Sequence, residues 1–488
     1  MTRSPSGETQ PATTRQALIR ARFDGARGYD GAATLQRLAA RALAGDLARA
    51  MAERADTPLR VLEIGCGTGF LTEQLCALWP QSHILATDYA PGMLARVTAR
   101  LGARVDVRLM DAANPDVSGP FDVICGSLVL QWLDDPAIAL KRLAGLLAPD
   151  GVLAVSALRA GTFAEWQAAC AAEGQVPATP DYPDTAELAG WVPYPCQGVW
   201  RNERCVQAFD TGLDFVRHLK KTGADTPRPG AGSMGAGALK RVAARFEKDG
   251  AAVTWELAYG CVRRPPRAGV FVTGTDTGVG KTLVSACLVR RWQALYWKPL
   301  QSGLEDEEGD TPTVARLAAG NTQHGPGVRC FPPAGAYRAS LSPEAAARAE
   351  GVVIDPARLT LPVDEPARPL VVEGAGGLMV PVTEEIMMID LAQSWGLPVV
   401  LVARSGLGTL NHTLLSLEAL RARGIAVAGV VLNGPPNAEN SRTIAHKGRV
   451  RILAEIPHEA QINAATVEEL ALRLPSWPEA AGEVSPDF

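Results

Sequence analysis

The sequence predicts an α/β protein built as two doubly wound domains in tandem. Three observations lead there. Short apolar runs alternate with helical patterns from about residue 60 to 160, and the alternation restarts after RRPPRAG at 263–269. Each series opens on a strand that runs into a glycine-rich turn, VLEIGCGTGF at 61–70 and VTGTDTGVGKT at 272–282. At 488 residues the chain is also longer than a single core sustains, so two to three domains are expected.

In the first series the buried parallel strands are expected at Arg60–Ile64, Ile84–Thr87, Phe121–Ser127 and Val152–Ala157, with a weaker one at Val105–Leu109. Helical patterns such as Gly69–Trp79 and Ala137–Ala148 separate them. Residues 161–250 are irregular and Pro/Gly-rich, as in PATPDYPD and TPRPGAGSMGAG, and read as insert or cap regions. Val253–Val262 reads as a further strand with Cys205–Phe209 as its hairpin partner. The second series begins with a strand at Gly269–Thr273 and a helix from about Lys281 to Leu295. Strands at Leu370–Glu373, Pro398–Ala403 and Ala426–Asn433 follow. The organisation expected is a disordered tail over 1–15, a first domain over 16–264, a linker at 265–269 and a second domain over 270–488.

Bulk composition excludes several classes. A net charge of −4 argues against general nucleic-acid binding. Nine scattered cysteines without a Cys-x-x-Cys pair, and six histidines without metal spacing, argue against a disulfide framework, a zinc site or an iron–sulfur cluster. No apolar stretch of about 20 residues exists to cross a membrane, and the N-terminus lacks the apolar core of a secretory signal. A cytosolic location is expected.

In the first turn, Gly65, Gly67 and Gly69 let the backbone approach a ligand closely in front of a helix N-terminus. An acid ends each of the next two strands. Asp88 is placed to accept both ribose hydroxyls of a nucleoside, and Asp111 to reach an adenine amino group. A tight strand-to-helix turn also needs glycine for packing alone; the two acids tip the balance toward a ligand.

In the second turn, successive backbone N–H groups and a helix start make an anion cradle. Lys281 is placed to reach the outer phosphates of a nucleotide, and Thr282 to ligate Mg²⁺. The usual phosphate-binding loop carries a glycine where Thr275 stands; here the nearest one upstream is Gly274. Lys298 and Ser302 in WKPLQSG, Asp310 in EDEEGD and Glu373 in VVEGAGG supply downstream partners, and a carboxylate at a strand end beside such a loop suits Mg²⁺.

The first constellation resembles the class I S-adenosylmethionine-dependent methyltransferases. Within them, RARFDGARGYDGAATLQR, SLVLQWL, LDFVRHLKKTGA and VTWELAYGCVRR are similar to the malonyl-acyl-carrier-protein O-methyltransferases of biotin synthesis. The resemblance implies S-adenosylmethionine held by Glu63, Gly65, Gly67, Gly69, Asp88 and Asp111. Tyr29, which matches a tyrosine of the family, and Trp132, which follows the fourth strand, are candidates to shape the acceptor site or else an aromatic lid packing the core. It also implies an acidic acyl carrier protein as partner. Residues 201–250 hold ten Lys/Arg against six Asp/Glu, and Arg217, Lys220 and Lys221 share one helical face, a candidate docking surface. A basic face is otherwise an ordinary solvated one.

The second half resembles the ATP-dependent dethiobiotin synthetases, over roughly 268–488. GTDTGVGKT, KPLQSG, SPEAAARAEG, VEGAGG, ARSGLGTLNHTLL and EIPH occur in that family's order, and the Thr275 spacing is the family's own. The resemblance implies that CO₂ adds to an amine of 7,8-diaminononanoate, ATP phosphorylates the carbamate, and the second amine closes a cyclic urea. It makes Lys281 and Lys298 the catalytic cations, and Thr282, Asp310 and Glu373 the Mg²⁺ shell. Gly278, Val279, Gly280, Gly374, Ala375, Gly376, Asn433, Pro457 and His458 complete the ATP site, with Asn433 reading the adenine. Thr277 and Ser302 would contact the diamine or its carbamate, and Asn411 would hold substrate from a neighbouring subunit, which implies a homodimer through the C-terminal domain. Two positions depart from some members, which carry an acid where Gly278 stands and a lysine where Gly406 stands.

The whole reads as a bifunctional biotin-pathway enzyme. Two other readings remain: a methyltransferase acting on another small acid, and a switch-type P-loop ATPase in the C-terminal half.

Overall fold

The computed structural model describes residues 15–25, 29–222, 234–319, 328–365 and 368–477. The expected tail therefore lies almost wholly outside the described residues, as does most of TPRPGAGSMGAG. The chain forms two compact units. One comprises the chain up to Ala148 with Val152–Val192 and Trp200–Cys261; the other comprises Pro149–Gly151, Pro193–Val199 and the chain from Val262 onward.

In the first unit, strands β1 (Arg60–Glu63), β2 (His83–Asp88), β3 (Asp106–Leu109), β4 (Phe121–Gly126), β5 (Leu147–Leu158), β6 (Gln197–Ala208) and β7 (Ala252–Arg263) form one sheet. Their order is β3-β2-β1-β4-β5-β7-β6. β1 pairs in parallel with both β2 and β4, Val61 lying opposite Ile84 on one side and Val123 on the other. Strands covered on both faces read as continuous apolar runs, and Val61, Leu62, Val123 and Ile124 are wholly buried. The chain leaves β1 toward β2 and later returns to its other side as β4. That reversal opens a crevice at the carboxyl ends of these two strands, where doubly wound sheets bind ligands.

In the second unit, β8 (Gly269–Gly274), β9 (Leu295–Trp297), β11 (Cys330–Phe331), β13 (Leu370–Gly377), β14 (Val399–Arg404), β15 (Val427–Asn433) and β16 (Ile452–Ile456) form a second seven-stranded sheet. The order is β11-β9-β13-β8-β14-β15-β16. A pair of short strands, β10 (Leu300–Gln301) and β12 (Gly335–Ala336), stands apart from it. β8 lies between β13 and β14, all parallel, with Val272 opposite Glu373 on one side and Val400 on the other. Two apolar clusters sandwich this sheet, one containing Phe271, Val372 and Leu401, the other Val270, Val272 and Val400.

The structure moves several expected boundaries. The helix after the second turn ends at Trp292, and Leu295 belongs to β9. The helix expected over Ala137–Ala148 runs Pro136–Gly145, and β5 begins at Leu147. β6 is twelve residues long, far more than Cys205–Phe209. Its sequence QGVWRNERCVQA hides it, because an exposed strand at the sheet's edge needs no apolar run.

Candidate functional site

The first crevice is a cleft lined by Tyr29, Glu63, Gly65, Gly67, Asp88, Asp111 and Trp132, with Arg20, Tyr182 and Trp255 among the other walls. The glycines do different work. Gly65 adopts φ +59°, and a Cβ there would meet Val129 Cγ2 at 2.6 Å. Gly67 has φ +54°, yet a Cβ would meet nothing within 4 Å, so its bare backbone faces open space. Gly69, at φ +91°, caps the helix Phe70–Leu78. That helix start has no side-chain cap from Gly69, and within its first turn the Thr72 N–H is turned to the Glu63 carboxyl.

Asp88 is braced by two backbone donors. Gly67 N–H donates to one carboxylate oxygen at 2.9 Å and Ala90 N–H to the other at 2.8 Å. Burial raises its pKa, against those hydrogen bonds, which lower it. Glu63 is 1 % exposed, and burial pushes its carboxyl up to about 8, with the Asp88 charge adding to the rise. Its Oε2 has no hydrogen-bond partner among the described residues. Burial and the charges of Asp88 and Asp30 hold the Tyr29 phenol protonated. Asp111 accepts from Ala113 N–H at 2.9 Å. Trp132 stands edge-on to Phe23 of the helix Arg15–Gly25, ring centroids 5.2 Å apart. Asp24 of that helix accepts from Gly92 N–H at 2.8 Å, which seats it over the cleft's rim.

The second site lies behind the β8 turn. Gly274 is compelled by packing: a Cβ would meet Val279 Cγ2 at 2.6 Å and Asp276 O at 2.7 Å. That contact explains why the loop's glycine stands at 274. Thr275, at the usual glycine position, donates its N–H to Val402 O at 2.9 Å and continues the sheet. Gly280, with φ +94°, caps the helix Lys281–Trp292, and a Cβ would lie 1.9 Å from Asn433 Nδ2. The same Asn433 amide donates to Val279 O at 2.9 Å and ties the loop to the end of β15.

Behind the loop, Thr282, Lys298, Asp310 and Glu373 form one network. Thr282 Oγ1 donates to Asp310 Oδ1 at 2.6 Å and lies 3.2 Å from Glu373 Oε1. Lys298 Nζ sits 2.6 Å from Asp310 Oδ2 and 3.1 Å from Glu373 Oε1, and reaches Gly374 O at 3.2 Å. Lys298 is 4 % exposed and Glu373 1 %, and a buried charge is tolerable only when so compensated. Burial lowers the pKa of Lys298, but Glu373 and Asp310 outweigh it and the net shift is upward. Burial works against Asp310 ionisation too, yet Lys298 carries the net shift downward. Lys281 is shifted down, by burial first and then by Lys298, and donates to Asp276 O at 3.3 Å.

The structure thus brings Lys281, Thr282, Lys298, Asp310 and Glu373 to one place, and Gly374, Ala375 and Gly376 follow Glu373 along β13. It does not bring every expected residue there. Among the described residues Ser302 contributes only its carbonyl, to Gln301 Nε2 at 2.8 Å. Asn411 and His458 are exposed, and Pro457 is half-buried.

Three residues escape sequence reasoning. Tyr296 OH donates to Glu373 Oε2 at 2.9 Å, Gln301 Oε1 accepts from Asp310 N–H at 2.9 Å, and Arg404 donates to Thr277 O at 3.2 Å. The first is disguised as a core aromatic inside an apolar strand. The other two lie inside the quoted stretches KPLQSG and ARSGLGTLNHTLL, but neither spacing nor residue type marks them out there.

Among the described residues no helix is long and apolar enough to cross a membrane. Two family models match the chain, a methyltransferase domain over residues 62–153 and an AAA domain over residues 268–466. The biotin biosynthesis bifunctional protein BioCD of Bordetella avium is 48 % identical over 461 residues, which cover 94 % of this chain and 96 % of that protein. The ATP-dependent dethiobiotin synthetases BioD of Paramagnetospirillum magneticum and Agrobacterium fabrum are 53 % and 50 % identical. Those matches cover 41 % and 38 % of this chain and 94 % and 84 % of those proteins. The chain therefore belongs to the family of bifunctional biotin-biosynthesis proteins and is an enzyme with a methyltransferase half and a dethiobiotin synthetase half.

Proposed function

We propose that the N-terminal half transfers the methyl group of S-adenosylmethionine to the free carboxylate of a malonyl group on acyl carrier protein. We propose equally that the C-terminal half uses ATP, Mg²⁺ and CO₂ to convert 7,8-diaminononanoate to dethiobiotin. The observation that carries the proposal is the buried network of Thr282, Lys298, Asp310 and Glu373 directly behind a glycine cradle.

The residues present fit each group. In the first cleft, the braced Asp88 carboxylate suits a ribose diol, and the open space at Gly67 suits close backbone approach. Glu63, Gly65, Gly69 and Asp111 complete that pocket. When bound, the sulfonium cofactor supplies an electrophilic methyl group. A malonyl carboxylate is ionised at neutral pH, so the protein needs no general base. Its task is to orient the acceptor and exclude water, which Tyr29, Trp132 and the helix Arg15–Gly25 are placed to do.

In the second site, Thr282 Oγ1 lies 2.6 Å from Asp310 Oδ1 and 3.2 Å from Glu373 Oε1, and all three are hard oxygens, the donor type Mg²⁺ takes. When bound, the ion would neutralise phosphate charge. Lys281 and Lys298 hold positive charge at fixed places, which is how proteins assist phosphoryl transfer. Gly278, Val279 and Gly280 would cradle phosphates, Asn433 would meet the adenine beside Pro457 and His458, and Thr277 and Ser302 would hold the diamine or its carbamate. Asn411 would serve a partner subunit in a homodimer. Leu407, 109 % exposed, and Leu415, 59 % exposed, flank it as apolar surface suited to such an interface.

Two auxotrophs, one lacking each activity, test the proposal together with an acceptor panel in vitro. Rescue of both strains and methylation of malonyl carrier protein in preference to malonyl-CoA and free malonate are expected. Preference for a free acid would overturn the carrier-protein reading. ATP hydrolysis that needs neither diamine nor CO₂ would overturn the ligase reading.

A further inference from the structure

Arg404, the last residue of β14, lies beside the β8 turn. Its guanidinium donates to Thr277 O at 3.2 Å and stands 3.9 Å from Asp276 Oδ2. A Cβ built on Gly278 would have that guanidinium, at 4.0 Å, as its sole neighbour within 4 Å. The side chain therefore stands over the part of the loop that has no side chain of its own. Both contacts are weak and the pair is solvated, with Arg404 61 % and Asp276 57 % exposed, so redirecting the guanidinium costs little.

The loop's other cations are not equivalent to it. Lys298 is committed to Asp310 and Glu373, at 2.6 and 3.1 Å. Those two ammonium groups and two carboxylates leave the network of Lys281, Lys298, Asp310 and Glu373 near neutral. A nucleotide triphosphate brings several negative charges into that neutral place. As a carbamate oxygen bonds to the terminal phosphorus and the bond to the bridging oxygen breaks, ADP leaves with the electron pair and charge accumulates on the transferred group's neighbours. A planar guanidinium with further N–H donors suits those oxygens. The diamine's ammonium groups, by contrast, would be repelled by it.

We propose that Arg404 is a catalytic cation of the ligase site, contacting the terminal phosphate of the nucleotide across the bare backbone of Gly278. The proposal rests on the reading of this loop as the ATP cradle.

Calorimetric titration of the full chain with ADP and with a non-hydrolysable ATP analogue separates the possibilities. For Arg404→Gln the expected result is unchanged ADP affinity, an analogue bound roughly tenfold more weakly, and a kcat for dethiobiotin formation lowered on the order of 100-fold. Arg404→Lys should recover part of the loss in kcat. Equal weakening toward ADP and the analogue would overturn the proposal, since a residue that only steadies Thr277 affects both. So would two unchanged affinities, or a raised KM for the diamine alone, which would assign Arg404 to the diamine's carboxylate. Failure of the wild-type chain to bind either nucleotide would overturn the ATP reading and this assignment with it.

Discussion

The two glycine turns start their helices alike and differ in what surrounds them. Gly69 and Gly280 both cap a helix in a left-handed conformation, at φ +91° and +94°. Around the first turn the buried ionisable side chain is the Glu63 carboxyl, which holds its proton at neutral pH, with Asp88 braced by backbone N–H groups. Around the second, the Lys298 ammonium bridges Asp310 and Glu373 at 2.6 and 3.1 Å, and the Lys281 ammonium feels the charge of all three. The backbone motif makes a place where a nucleotide fits; the side chains decide what is done there. On the functions proposed above, displacement at a sulfonium methyl by an ionised carboxylate asks for no positioned charge, whereas phosphoryl transfer depends on it.

The largest effect that would break this contrast is in the second site. Glu373→Ala is expected to lower dethiobiotin formation on the order of 1,000-fold. It should also cost about 3–5 kcal/mol in the C-terminal unit, because it strips a partner from the buried Lys298. Methyl transfer, measured on the same preparation, should be unchanged. Near-normal ligase turnover would remove Glu373 from the site.

A pair of glycine substitutions sharpens the comparison. Gly280→Ala must push Asn433 aside from 1.9 Å and accept a left-handed φ, so ATP binding should be lost and the unit destabilised. Gly67→Ala meets nothing within 4 Å and should cost only the backbone strain, about 1–3 kcal/mol. Its S-adenosylmethionine affinity should fall, since the added methyl group occupies space meant for ligand. Equal stability loss in the two variants, read by hydrogen exchange in each unit, would contradict the packing described.

Glu63 gives the first unit a pH dependence of its own. Its carboxyl titrates at about 8 in the folded protein against 4.5 ordinarily. Between those values the folded state holds a proton that the unfolded state has lost, so stability falls as pH rises from about 4.5 to 8. The change amounts to a few kcal/mol, on the order of 1.4 kcal/mol per unit. Glu63→Gln should flatten it, as measured by hydrogen exchange of β1 amides at pH 5 and pH 8.

The smallest effect is at the surface. Arg217, Lys220 and Lys221 are exposed on the helix Gly212–Lys221, and Arg217 pairs with Asp214 at 2.7 Å. Reversing all three to Glu should raise the KM for malonyl carrier protein roughly tenfold at low salt and little at high salt. Methylation of malonyl-CoA should not change. An unaltered low-salt KM for the carrier protein would make the basic face ordinary solvated surface.

Much of this was legible in the sequence because parallel strands buried on both faces write themselves as apolar runs. β1, β4, β8 and β14 were found to within a residue or two at their ends. β9 was harder: Leu295 continues the apolar spacing of the preceding helix, and only Gln293, in a left-handed conformation, breaks the two apart. Lys298, Asp310 and Glu373 stood out because each sits in a recognisable turn. Tyr296, Gln301 and Arg404 did not, because their significance lies in what they touch across the fold. No local pattern records that a tyrosine in an apolar strand points its hydroxyl at Glu373.

Lys298 has one more consequence. Its ammonium already lies between Asp310 and Glu373 and satisfies both. Many metal-dependent folds gather carboxylates that repel one another until an ion arrives, and so cannot assemble in its absence. Here the lysine acts as a resident counterion, and the C-terminal half can complete its folding as it is synthesised, with no divalent ion required as a chaperone. On the Mg²⁺ reading proposed above, chelation should therefore halt its chemistry and leave the unit folded, with only the small loss of melting temperature that removing a bound ion entails.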